Sequence, residues 1–186
     1  MSEEVIVKYC SPTLAGIKTG SLFCCSYDSK SELFDFLREL NYNLGCKGIR
    51  FLPMRLKNNK ALIYVFRPLR LISELKNKEA EKLLSERGYH TDNCNLCLNR
   101  LRKRLGEGEE FPHEIGLFLG YPVEDVKGFI ENKAACAKCV GCWKVYGDEE
   151  NARKQFERFK KCTSVYQRQY EIGRPLNRLT VAGHRG

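Results

Sequence analysis

Cys136, Cys139 and Cys142 stand at a C-x2-C-x2-C spacing within Ala134-Ala135-Cys136-Ala137-Lys138-Cys139-Val140-Gly141-Cys142. Successive short turns return each sulfur to the same side, so the stretch is predicted to form a tight loop. Its thiolates can then converge on one zinc ion or iron–sulfur cluster. The spacing points to metal or redox chemistry and names no reaction.

The setting of the chain decides how its ten cysteines are read. Met1-Ser2-Glu3-Glu4 opens acidic and the following apolar run is short, unlike a secretory signal. No apolar stretch approaches the roughly 20 residues that span a bilayer, so no membrane association is expected. A cytoplasmic location follows as the expectation. In a reducing compartment, cysteines serve as ligands, reactive thiols or small buried hydrophobes more often than as disulfide partners.

At 186 residues, 42% hydrophobic and 30% charged, the chain is long enough to bury a core without staples. It reads as a single domain over residues 1–186, strand-rich over 1–88 and helical over 89–186. The net charge of +9 would suit a polyanion. The cations are spread, however, and most share helix faces with Glu or Asp. The densest run, Arg100-Leu101-Arg102-Lys103-Arg104, closes a predicted helix, where the dipole favours cations anyway. Nucleic acid is therefore not the expected partner.

Val5 to Tyr9 alternates weakly and reads as a first strand, halted by Ser11-Pro12-Thr13. Leu22 to Tyr27 reads as a second. Ser29 with Glu32 makes a capping box before the helical stripe of Leu33, Phe36, Leu37 and Leu40. Gly48–Leu56 and Ala61–Arg67 form a hairpin turning at Asn58-Asn59. Pro68 opens a helix with Ile72, Leu75, Leu83 and Leu84 inward, stopped by Gly88.

Beyond Gly88 the pattern is helical. Asp92 is placed to cap a helix through Leu105, followed by a break at Gly106-Glu107-Gly108. Pro112 opens a short helix ended by Gly120-Tyr121-Pro122, and another runs to about Asn132. Asp148 caps a long charged helix with Ala152, Phe156, Phe159 and Tyr166 on one face. The fold class is α+β: an N-terminal antiparallel sheet with packed helices, then a mostly helical, cysteine-rich half.

A closed zinc site needs a fourth ligand beside Cys136, Cys139 and Cys142. Cys162 lies about 20 Å away along a helix and reads as a core residue. Cys94 and Cys97 form a second C-x2-C in the first turn of a helix, where the dipole lowers thiol pKa. They also fall on one apolar stripe with Leu98, Leu101 and Leu105, so core packing competes with ligation. Cys10, at the end of the first strand, and His113 with Glu114 supply the residue types of an activated nucleophile. A buried Cys and a capping His are the competing account.

Residues 114–126 carry the rhythm of a helix-turn-helix. The second helix would open with Glu124 and Asp125, which repel phosphates, so this reading favours an adaptor or regulator with a protein partner over one binding DNA.

Cys10-Ser11-Pro12-Thr13-Leu14-Ala15-Gly16, Phe111-Pro112-His113-Glu114-Ile115-Gly116-Leu117-Phe118-Leu119-Gly120-Tyr121-Pro122 and Trp143-Lys144-Val145-Tyr146-Gly147-Asp148 are specific segments. In them the chain resembles, over nearly its whole length, an uncharacterised family of anaerobic bacteria catalogued as a domain of unknown function. The resemblance carries no reaction and no catalytic residue. It implies an iron- or redox-linked setting with a redox protein partner. It also implies a common site lined by Cys10, His113, Glu114, Trp143 and Tyr146, the last two as the cofactor-binding wall. Core packing accounts equally well for both aromatics.

Overall fold

A computed structural model describes residues 1–107 and 111–183, with backbone but not side-chain detail at Glu107. The chain divides into two compact units, residues 1–69 with 159–186 and residues 70–158. The fold is α+β, as the pattern of elements predicts.

The first unit opens with helix α1, Glu3–Leu14, where a strand was expected. Ile6, Val7, Cys10 and Leu14 are all buried, a helical spacing that a five-residue window over Val5–Tyr9 does not expose. Glu3 and Glu4 sit in the first turn, favoured by the helix dipole. Pro12 is accommodated near the C-terminal end of the helix, and the Ser11 hydroxyl donates to the Val7 carbonyl.

Strand β1 spans Gly20–Ser26, β2 Arg50–Lys57 and β3 Lys60–Phe66, forming an antiparallel sheet in the order β1-β3-β2. Asn58 and Asn59 adopt φ of 50° and 54°, the left-handed pair that a two-residue hairpin turn requires. Helix α2, Lys30–Gly45, is capped by the Ser29 hydroxyl, which accepts from the Glu32 N–H. Its Leu33, Leu37, Leu40 and Leu44 join α1 and the sheet residues Phe23, Phe51, Ile63 and Val65 in one core cluster. The short helix α9, Leu176–Leu179, contributes Leu176 and Leu179 to the same cluster.

Buried Arg67 ties this unit together. It donates to the carbonyls of Thr13 and Leu14, both at 2.7 Å, and of Val181 at 2.8 Å. The Val181 N–H returns to Leu14 O at 3.0 Å. A guanidinium at the C-terminal carbonyls of α1 is also where the helix dipole favours positive charge.

The division falls within two helices. Helix α3, Pro68–Leu75, begins at the expected proline. Instead of continuing to Gly88, it stops, and α4 occupies Lys78–Ser85. Asn77 causes the break, its side chain accepting from the N–H groups of Glu79 and Ala80. Ile72, expected inward, is 37% exposed. Helix α8, Glu149–Glu171, is capped by Asp148 through the Asn151 N–H.

In the second unit, α5 spans Cys94–Glu107, α6 Ile115–Phe118 and α7 Val123–Glu131. Asn93 rather than Asp92 caps α5, accepting from Asn95 and Leu96. The chain is still helical at Gly106, and Gly108 lies outside the described residues. Pro112 precedes a turn rather than the helix itself, its carbonyl accepting from Ile115. A further element, unforeseen in the sequence, is a hairpin of β4, Cys139–Val140, and β5, Lys144–Val145.

Among the described residues, no helix is long and apolar enough to cross a membrane.

Candidate thiol site

The β4–β5 hairpin carries the C-x2-C-x2-C motif and is held by a buried carboxylate. Asp125, in the first turn of α7, is 3% exposed. One of its oxygens accepts the Trp143 indole N–H at 2.6 Å. The other accepts the backbone N–H groups of Tyr146 and Gly147 at 2.7 and 2.8 Å. Three donors on one buried carboxylate make strong, charge-assisted bonds that fix the hairpin on α7.

Aromatic packing completes the seat. Trp143 stacks on Tyr121 with ring centres 4.8 Å apart and meets Phe156 edge-on at 4.5 Å. The Tyr121 hydroxyl donates to the Cys142 carbonyl at 3.2 Å, and burial pushes that phenol up to about 12. Lys138 and Lys144 donate to the carbonyls of Gly147 and Ala134. The small residues of the segment serve close approach: a side chain on Gly141 would collide with the Phe156 ring, and one on Gly147 with the Glu124 carboxylate.

The three cysteines of the hairpin segment differ in exposure. Cys136 and Cys142 are exposed and Cys139 is half-buried, all three as thiols rather than disulfides. Cys136 adopts φ 58°, and Lys133 and Ala134 before it are also left-handed. Such backbone is uncommon for residues with a side chain and costs of order 1 kcal/mol each. The donor set suits a thiophilic cation, since three soft sulfurs lie within seven consecutive positions. Among the described residues, no three His, Cys, Asp or Glu side chains are gathered closely enough to hold a metal ion. Ligation therefore requires the thiol side chains to rotate inward.

Cys94 and Cys97 do not join that group. Cys97 is fully buried, its thiol donating to the His90 carbonyl at 3.0 Å. Burial, then the neighbouring Cys94 and Asp92, pushes it up to about 11, and burial raises Cys94 as well. Desolvation thus outweighs the helix dipole expected to lower both. Leu98, Leu101 and Leu105 are buried along the same helix. Cys162, on α8, is half-buried.

The Cys10–His113 constellation is distributed over the two units. Cys10 is fully buried inside the α1 core, and burial raises its thiol strongly, which disfavours the nucleophilic thiolate. The His113 ring packs against Phe129 at 4.8 Å and lies 6.1 Å from Phe111. Glu114 is buried, accepting from the Tyr89 hydroxyl at 2.7 Å and from Arg104 at 2.9 Å. Its role is to bind α5 and α6 together. Trp143 is likewise buried, while the Tyr146 hydroxyl is enclosed and has no hydrogen-bond partner among the described residues.

The helix-turn-helix rhythm corresponds to α6 and α7, but the first turn of α7 is occupied. Asp125 holds the hairpin and Glu124 accepts from the Asp148 N–H at 3.3 Å. Two cations of the α5 run are also engaged, Arg104 with Glu114 and Arg100 with the Arg87 carbonyl.

Asp125 had no signal in the sequence beyond its acidity at a helix start. Its partners lie 18 to 22 positions away, and only folding brings them together. Two of the three specific segments, Phe111–Pro122 and Trp143–Asp148, converge on this seat and on the Glu114 network beside it.

No curated protein and no solved structure matches the chain. A family model described as "Protein of unknown function (DUF3793)" matches residues 6–180, and the chain belongs to that family.

Proposed function

We propose that this protein binds zinc or an iron–sulfur cluster through Cys136, Cys139 and Cys142, in a thiol-redox or electron-transfer role. One observation carries the reading. The hairpin is seated by Asp125, Trp143, Tyr121 and Phe156, and two of its three cysteines, Cys136 and Cys142, are nonetheless exposed thiols. Cysteine is among the most buried residue types, which makes two exposed thiols and a half-buried third on a firmly held turn a chemical rather than a packing feature. Such thiols persist in the reducing cytoplasm, and a redox protein is the partner this chemistry calls for. A fourth ligand comes from solvent, from a partner, or from another side chain of this chain.

Anaerobic purification followed by elemental analysis tests the proposal. Near-stoichiometric zinc or iron is expected, lost in the Cys136→Ser/Cys139→Ser/Cys142→Ser variant. Iron–sulfur ligation adds visible charge-transfer absorption, and zinc does not. Folded, metal-free protein whose three thiols alkylate fully after anaerobic metal reconstitution would sink the idea.

A further inference from the structure

Cys94 and Cys97 occupy a setting different in kind from the hairpin thiols. Cys94 is the first residue of α5 and is half-buried; Cys97, one turn on, is fully buried. The first turn is fixed by the Asn93 cap and by the Cys97 N–H, which donates to the Asn93 carbonyl at 3.0 Å. Residues three apart on a helix face the same side, with Cβ atoms about 5–6 Å apart. That is within a small rewinding of the first turn from disulfide geometry, which needs Cβ atoms about 3.5–4.5 Å apart.

The two cysteines therefore share one side of the first turn, Cys94 half-buried and Cys97 fully buried. We propose that Cys94 and Cys97 are a thiol–disulfide exchange pair, Cys94 attacking and Cys97 resolving, with a low-molecular-weight disulfide as substrate.

The reaction balances without any other oxidant. The Cys94 thiol loses its proton to solvent, and the thiolate attacks one sulfur of R–S–S–R. The Cys94–S–SR bond forms, the S–S bond of the substrate breaks, and RS⁻ leaves and takes up a proton. Cys97 then loses its proton and attacks the Cys94 sulfur, forming Cys94–S–S–Cys97 and releasing the second RS⁻. Two protein thiols are oxidised and one disulfide is reduced to two thiols. Burial of Cys97 prevents it from meeting the substrate first, which sets the order.

Two further observations shape the chemistry. The Cys97 proton rests on the His90 carbonyl, which is an acceptor but no base, so resolution waits on loss of that proton. Burial raises both thiols, and the neighbouring Cys94 raises Cys97 further. A pair whose thiolates are disfavoured exchanges slowly at neutral pH and holds its disulfide firmly once closed, the opposite of a pair with a stabilised thiolate. The closing rate rises about tenfold per pH unit below the Cys94 pKa, because the thiolate fraction does.

Oxidised glutathione is the probe. The reduced full-length protein is incubated with it anaerobically, the remaining thiols are alkylated, and digested peptides are mapped by mass spectrometry. The expected product joins Cys94 to Cys97 within one peptide, with the two hydrogens lost. Cys97→Ala should stop at a Cys94–glutathione mixed disulfide, and Cys94→Ser should form neither product. Wild-type protein needs no substitution to be decisive: if Cys94 and Cys97 both remain alkylatable while the exposed Cys24 and Cys46 are oxidised, the pair is a packing feature only. A mixed disulfide on Cys97 in the wild-type protein would also overturn the assignment. Because each peptide is read separately, neither outcome depends on whether the hairpin thiols bind metal.

Discussion

The Asp125 carboxylate lies 2.6 Å from the Trp143 indole nitrogen while its second oxygen takes two backbone N–H groups from the hairpin that Trp143 belongs to. Helix α7 and the thiol hairpin thus share one buried carboxylate. Asp125→Ala leaves three donors without an acceptor and is expected to cost about 3–4 kcal/mol, at about 1–3 kcal/mol for each buried group left unpaired, less what water recovers. Trp143 is the only tryptophan, so its fluorescence reports this seat directly. Urea unfolding followed by that emission should show the loss. An unchanged midpoint would mean that Asp125 does not hold the hairpin.

Ligation should be visible as stability. A cation bound only by the folded state adds RT ln(1 + [L]/Kd), about 2.7 kcal/mol at a hundred times Kd. Zinc or ferrous iron added to the reduced protein should raise its unfolding midpoint, and a chelator should reverse the gain. The Cys136→Ser/Cys139→Ser/Cys142→Ser variant should not respond. If it responds as the wild type does, the cation binds elsewhere.

Gly128 sits mid-helix in α7, where alanine would ordinarily gain about 1 kcal/mol of helix propensity. Here a Cβ would stand 2.6 Å from the Tyr146 Cβ, an atom anchored to the hairpin backbone and unable to swing aside. Overpacking of that kind costs about 1–3 kcal/mol, so Gly128→Ala is expected to destabilise on balance. Gly106→Ala is the control, with no atom of the described residues within 4 Å of the new methyl. It should be neutral or slightly stabilising, and calorimetry on the two variants separates the effects.

Much of this architecture was legible from local chemistry, because the signals act over a few residues. Ser29, Pro68 and Asp148 start helices where their side chains predict, and Asn58-Asn59 turns the hairpin with both residues left-handed. The failures share a cause. Val5–Tyr9 fits a strand until Cys10 and Leu14 extend the stripe, and only packing from both sides decides between the periods. Asn77 is a cap inside what reads as one continuous apolar helix, so a single side chain outweighs the stripe. At the candidate site, the cysteine spacing was plain, but Asp125 and the Glu114–Arg104–Tyr89 network join residues distant in sequence. Pairings of that length leave no periodic trace.

Alkaline pH should weaken the fold. Cys97 is pushed up to about 11 and Cys10 further still, against about 8.5–9 for an unfolded thiol, and burial raises Tyr89 and Tyr121 as well. The folded state then holds protons that the unfolded chain releases. These contributions are fully present below about pH 8.5 and are lost progressively as pH rises toward 11, the tyrosines extending the decline above about pH 10. Each proton released on unfolding steepens the loss by at most about 1.4 kcal/mol per pH unit. Urea midpoints measured with reductant at about pH 7.5 and about pH 9.5 should differ in that direction. A flat profile would contradict the burial of these thiols.

The first unit is assembled from both sides of the second. Leu176 and Leu179 complete the cluster begun by Ile6 and Val7, and Val181 meets Leu14 and Arg67. On a ribosome, residues 70–158 emerge whole before the last partners of α1, Leu176 and Leu179, are exposed. The nascent sheet and helices α1 and α2 wait with an unfinished apolar face. Translation order therefore exposes the thiol-bearing unit first, and a nascent chain that has emerged past residue 158 but not yet past residue 176 would hold a complete hairpin segment and an unsealed N-terminal core.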